Sequence, residues 1–218
     1  MKIYTKGIGE KSFAPECVRI NFDFKTRSEK YDLTLTEGVK QVENFVNVLT
    51  KLGFKKEDFK TDSFKIYEET KYDANKQENI RLGYIYNHIA NLKFDYDMNK
   101  LTSLVYELSK IDFGPRTNIT FELKDEDKKK SECIDLAYQN AKSKAEAIAT
   151  SAGKKLVECK KISFEPLDNT IQSRSRFDGL AKMTTFEGND SVKNAMGNIL
   201  VPEDIKLIYE LYCLWIAE

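Results

Sequence analysis

The sequence predicts an α+β fold, antiparallel sheet with helices packed on it, in the order ββαββαβαββ. Three observations carry this. Apolar and polar residues alternate strictly after Pro15, where Val18, Ile20, Phe22 and Phe24 face one way and Arg19, Asn21, Asp23 and Lys25 the other. Two long stretches, starting at Asp32 and Asp125, instead repeat apolar or small residues every three to four positions. Hydrophobic residues make up 41% of the 218 residues and charged residues 32%, the balance of a globular chain.

Each element follows from its local pattern. Residues 3–8 read as a first strand, joined to the strand after Pro15 by a hairpin around 11–15. A helix is expected over 32–52, with Leu35, Val39, Val42, Val46 and Leu49 on its inner face and Gly53 as its stop. Gly38 costs that helix about 1 kcal/mol in propensity, so packing has to hold the turn. A strand over 60–72 and a polar turn over 73–79 come next. Every even position from Ile80 to Tyr96 is then occupied by Ile, Leu, Tyr, His, Ala or Phe. A strand of that length spans roughly 55 Å at about 3.3 Å per residue. It is therefore expected to bend or bulge, and to be shared by two subdomains.

A short helix through Leu101, Leu104, Val105 and Leu108 precedes another alternating strand near 118–125. The longest helix covers 125–152, opened by Asp125, Glu126 and Asp127. Its inner stripe is Cys133, Ala137, Ala141, Ala145, Ile148 and Ala152, small enough to lie close on a sheet. A strand near 155–167 follows, then a stretch over 168–200 without sustained period, read as a long loop. The last strand is apolar on both faces, which predicts a central position or a covering partner. The organisation is read as one domain over 1–218. Within it, 1–62 with 126–218 form an outer α+β unit, and 63–125 an inserted ferredoxin-like β-α-β unit.

Chemistry-bearing residues are sparse. Gly7-Ile8-Gly9 lacks the third glycine and the following helix of a dinucleotide loop, and reads as a place where another backbone approaches. The cysteines Cys17, Cys133, Cys159 and Cys213 form no CxxC pair and read as reduced core residues. His88 is the one histidine, falls on the tyrosine-rich face of the long strand, and has no nucleophile signature beside it. The run 125–130 reads as a solvated first helical turn. No cofactor or metal is called for, and the chain is read as non-enzymatic, the alternative being a small-ligand or anion binder or an enzyme that uses the 168–200 loop.

The candidate contacts are of two kinds. Arg174 and Arg176, with serines beside them, are candidate anion contacts in the 168–200 loop. Tyr84, Tyr86, Tyr209, Tyr212 and Trp215 are candidate interface residues, since aromatics are favoured at subunit contacts. Aromatics interleaved with lysines could also stack single-stranded nucleic acid. However, Lys+Arg and Asp+Glu both number 35, which removes the global basic excess such binding uses. The expected partners are further copies of the chain or another protein, not nucleic acid. No apolar stretch has the length of a membrane helix, and no secretory h-region follows 1–6, so a cytoplasmic location is expected.

Five stretches together resemble the SIMPL-domain family, which includes bacterial periplasmic immunogenic proteins and an animal protein that binds a signalling kinase. They are "GIGEKSFAPE", "TDSFKIY", "GYIYNHIANLKFDYD", the run from "FGPRTNITFELKDED" to "ATSAGKKL", and "ILVPEDIKLIYELY". The resemblance covers nearly the entire chain and brings no catalytic residues with it. It implies oligomers, some ring-like, an association with oxidative-stress tolerance, and relatives that are often periplasmic or secreted.

Overall fold

The structure, a computed structural model, describes residues 1–74, 77–111, 114–167 and 201–218. Among them are seven strands and three α-helices in the predicted order. They are β1 (Lys2–Phe13), β2 (Cys17–Ser28), α1 (Tyr31–Lys51), β3 (Phe59–Asp73), β4 (Glu78–Asp95), α2 (Met98–Leu108), β5 (Arg116–Glu122), α3 (Glu126–Ser151), β6 (Leu156–Ser163) and β7 (Ile205–Ala217). The fold class is α+β, with two antiparallel sheets.

The chain divides into two compact units. One comprises Met1–Ala14, 123–167 and Glu203–Glu218; the other comprises Pro15–Glu122 and, among the described residues, 201–202. The expected boundaries at 62 and 126 are thus replaced by boundaries at 14/15 and 122/123. Strand pairing is the reason. β2 pairs with β4 and β5, so it belongs with them and not with β1. The same pairing corrects the expected hairpin around 11–15, because β1 pairs with β7 in the other sheet.

The second unit runs β2-α1-β3-β4-α2-β5 with strand order β3-β4-β2-β5, a split β-α-β arrangement. The inward positions of β2 (Val18, Ile20, Phe22 and Phe24) are fully buried beneath α1 and α2. The Phe45 ring of α1 meets Phe22 at 4.7 Å and Phe24 at 5.0 Å, both edge-on. The inner face of α1 centres on Thr34, Gly38, Phe45 and Leu49, while Val39 is exposed. That corrects the expected stripe. Gly38 has no side chain, so the Tyr86 ring of β4 lies directly on the helix, and a Cβ there would stand 2.4 Å from Tyr86 Cγ. Asp97 caps the N-terminus of α2, its carboxylate accepting hydrogen bonds from the Asn99 and Lys100 amides.

β4 bends at Gly83, which holds φ +141 and lies where a Cβ would meet the Ser28 carbonyl at 2.5 Å. Beyond that point β4 pairs with β3 alone among the described residues, and the β3–β4 register shifts twice, with Asp62 the extra residue in β3 and Leu82, beside Gly83, the extra residue in β4. The long strand bends as its length requires. It lies wholly inside one unit, so the expectation that two subdomains share it is corrected.

The first unit is one sheet, β1-β7-β6, under α3. β7 is central, as its two apolar faces predict. Cys133, Ala137, Ala141, Ala145 and Ala149 form the buried stripe of α3; Ile148 and Ala152 are exposed, which corrects the last two expected members. Strict spacing by four keeps every contact residue small. Gly7 and Gly9 complete the fit, since a Cβ would stand 1.9 Å from the Ala137 carbonyl oxygen at Gly7 and 1.8 Å from that of Cys133 at Gly9. The glycine pair serves this close backbone approach.

Candidate functional site

The two parities of each strand in the first unit have different fates. On the inner side, Ile3, Thr5, Leu211, Cys213 and Trp215 are buried under α3. The Trp215 indole Nε1–H donates to Thr5 Oγ1 at 2.8 Å, and the Tyr138 ring of α3 lies 5.6 Å from the Trp215 ring. Among the described residues no helix covers the outer side. Tyr4, Ile8 and Ile208 are 55%, 43% and 52% exposed there, and Tyr212, Leu214 and Ile216 are half-buried beside them. The register joins these residues into one patch, with Tyr4 opposite Leu214, Lys6 opposite Tyr212, Ile8 opposite Glu210 and Glu10 opposite Ile208.

Two ion pairs lie on this face. Lys6 Nζ lies 2.7 Å from Glu210 and 5.6 Å from the Tyr212 ring centroid; Lys206 pairs with Glu10. The hydrogen bond from Lys6 to Glu210 outweighs partial burial and raises the pKa of the ammonium. Tyr4, Ile8, Ile208, Tyr212, Leu214 and Ile216 thus form an apolar patch with two ion pairs beside it.

The free edge of β1 is closed in a different way. The Ile8 amide donates to the Asn140 side-chain oxygen at 3.1 Å, and Lys144 Nζ donates to the Lys6 carbonyl at 2.8 Å. Two side chains of α3 thus occupy backbone groups that an added strand would need. The face is open to contact where this edge is obstructed.

The second unit has a different outer face. Arg19 reaches both Glu122 and the Asn91 side-chain oxygen; Asn91 donates to Asp62 at 2.7 Å, and Lys93 lies 2.7 Å from Glu122. Burial pushes the Glu122 carboxyl up, but the hydrogen bonds from Arg19 and Lys93 outweigh it and hold its pKa below the usual carboxylate value. Glu122 thus stands beside both Arg19 and Lys93 on this face. An open depression of about 710 Å³ is lined by Tyr31, Phe64, Lys65, Ile66, Tyr67 and Asn87, with Lys65 its only charged group.

The remaining sequence-predicted residues are placed as follows. Tyr86 and Trp215, each 2% exposed, are core of their own units, which corrects their reading as contact residues. Tyr84 is half-buried, edge-on to Tyr31 with Arg81 above its ring. Tyr209 is half-buried opposite Gly9, and Tyr212 belongs to the outer face of the first unit. His88 is nine-tenths buried, with hydrogen bonds joining Nε2 to Thr61 Oγ1 (2.9 Å) and Nδ1 to the Tyr86 hydroxyl (3.1 Å). Burial lowers its pKa. In the acidic helix start, Lys130 lies 3.0 Å from Glu126 and 3.5 Å from Asp127. Among the described residues no group of three or more His, Cys, Asp or Glu could hold a metal ion. No helix described is long and apolar enough to cross a membrane. Arg174, Arg176 and the 168–200 loop lie outside the described residues.

Sequence reasoning missed Tyr4 and Ile8 as surface residues. The signal was present, because residues 3–8 carry apolar side chains on both parities, as the last strand does.

A family model described as SIMPL, a protein of unknown function (DUF541), matches residues 3–201. No curated protein matches the chain.

Proposed function

The chain belongs to the SIMPL family, whose description assigns no function, and on that basis we propose that it acts without catalysis, as a self-associating scaffold or binding module of the kind the resemblance links to oxidative-stress tolerance. One observation carries the reading, the apolar outer face of the β1-β7-β6 sheet, where Tyr4, Ile8 and Ile208 stand exposed. Exposed apolar patches of this kind mark contact surfaces. The preferred occupant is a second copy of the same face. Lys6 and Lys206 are already paired with Glu210 and Glu10, so these charges do not oppose a second copy of the face. Pairing of copies through the β1 edge is disfavoured by Asn140 and Lys144.

The test is the solution mass of the untagged chain by light scattering across a concentration series. The wild type is expected above the mass of one chain. Ile208→Lys, which places an ammonium opposite Glu10 and leaves the folded chain intact, is expected to give the mass of one chain. A wild-type protein that stays a single chain throughout the series removes the proposal.

A further inference from the structure

The sheet of the second unit ends in a long open edge. β3 is its outermost strand, and its 15 residues pair with β4 on one side only. After the bulge at Asp62, β3 runs from Ser63 to Asp73 without an extra residue. Among the described residues no loop or side-chain hydrogen bond closes 63–71, in contrast to the β1 edge that Asn140 and Lys144 occupy. The open depression beside Tyr31 is lined by consecutive residues of this strand, Phe64, Lys65, Ile66 and Tyr67, so it follows the backbone and not one face. Phe64 and Tyr67 are exposed, and Lys65 has no ion pair among the described residues. An open edge of this length is a template for another strand.

We propose that this edge pairs antiparallel with the β3 edge of a second copy, centred on Tyr67. The charges select both the occupant and the register. A two-fold axis sets one residue opposite its own copy, and opposes the flanking residues symmetrically on the same face. Centred on Lys65 or on Glu69, the strand opposes that charge to itself. Centred on Glu68, it opposes Glu68 to itself and Lys65 to Lys71. Centred on Ile66, it opposes no charge to another. Centred on Thr70, it sets Glu69 against Lys71 but shortens the pair to 67–73 and leaves Phe64, Lys65 and Ile66 uncovered. Centred on Tyr67, it covers 63–71, sets Lys65 against Glu69 at both ends and brings two tyrosines together in the middle. Arg27 holds Oε2 of Glu69 at 2.7 Å, and a carboxylate accepts through its other oxygen as well.

The paired segment 63–71 is short. Stable interfaces use about 20–30 residues a side, so one edge contact alone leaves dilute copies separate. For its assembly the inference therefore rests on the outer-face reading. Each pair of copies held by the β1-β7-β6 face carries two β3 edges. Closing such pairs into a larger assembly engages several edges at once, and the effective concentration that results offsets the weakness of one. The wild type then holds an even number of chains, above two.

Light scattering of the full chain reads the assembly. The wild type is expected at a multiple of the two-chain mass. Lys65→Glu and Glu69→Lys each set like charges across the axis, and each alone is expected to stop at two chains. Mixed in equal amounts, the two variants oppose unlike charges again, and the larger mass is expected to return. The edge is also tested without the outer face, in an Ile208→Lys background at high concentration. There Tyr67→Cys is expected to form an interchain disulfide under mild oxidation, mapped by peptides to position 67 of both copies, because directly opposed α-carbons stand about 4.5–5.5 Å apart. Thr70→Cys is the control, since its two copies lie about 20 Å apart in this register at about 3.3 Å per residue. Failure of the link at 67, or a link at 70 in its place, overturns the proposal. So does a wild type that stops at two chains, or a Lys65→Glu mass equal to that of the wild type. A wild type of one chain whose link at 67 still forms supports the edge contact and removes only the outer-face reading.

Discussion

The α-carbon of Gly9 faces the carbonyl of Cys133 so closely that a side-chain carbon at Gly9 would stand 1.8 Å from that oxygen. Two backbones, one in β1 and one in α3, are in contact with no side chain between them. The alanines that follow Cys133 at intervals of four extend the contact along the helix.

Gly9→Ala is therefore expected to destabilise the first unit by about 3 kcal/mol, at the upper end of overpacking costs, because the obstacle is backbone and cannot rotate away. Gly53→Ala is the control. Gly53 has φ +84 and open space around it, so only the left-handed backbone cost of roughly 1 kcal/mol applies. Urea unfolding of the two variants side by side checks the ranking.

Gly38→Ala sets two effects against each other. Helix propensity favours alanine by about 1 kcal/mol. The new methyl would stand 2.4 Å from Tyr86 Cγ, and displacing that ring also disturbs its bond to His88. The collision is expected to win, with a net loss of about 1–2 kcal/mol. In a Tyr86→Ala background the same change is expected to turn neutral or stabilising. A double-mutant cycle reads the difference.

His88 makes the second unit sensitive to acid. Its ring is packed among Phe24, Phe59, Phe64 and Tyr86, and burial lowers its pKa from 6.5. The folded chain binds the proton less readily than the unfolded one. The stability His88 contributes is complete above about pH 6.5 and is lost as pH falls from there toward the folded value. Unfolding midpoints measured down that range are expected to decline, and His88→Gln is expected to flatten the decline. An equal slope in both proteins would show that other groups cause it.

The bond from Trp215 to Thr5 is testable with a near-isosteric change. Thr5→Val leaves the buried indole N–H without its acceptor, at an expected cost of about 1–3 kcal/mol. Adding Trp215→Phe removes the orphaned donor as well. The double variant is then expected to cost less than the sum of the singles in thermal or urea unfolding.

Much of the fold was legible because it is written in short-range periods. Alternation marked β2 and β4, and spacing by four marked α3, since each pattern reports the face that one element turns inward. The exposed apolar face was half legible: the last strand showed apolar residues on both sides, and Tyr4 and Ile8 carried the same signal less strongly. The predicted hairpin between β1 and β2 failed because adjacency in sequence does not identify a pairing partner. β1 instead pairs with β7, from Lys2 opposite Ile216 to Phe13 opposite Ile205. The inner stripe of α1 was misplaced because Gly38, empty of side chain, lets Tyr86 set the helix's orientation.

By itself the sequence determined the kind and order of the elements, the bend required of β4, the small stripe of α3 and the family resemblance. These depend on local propensity and on which side chains prefer to leave water. Only the tertiary structure decided that Gly7 and Gly9 admit α3, that Tyr86 and Trp215 are core, and that β1 pairs with β7. Each of those facts brings together residues far apart in the chain. Such pairings are selected by packing and by backbone hydrogen bonding across the whole unit, which no local window of sequence contains.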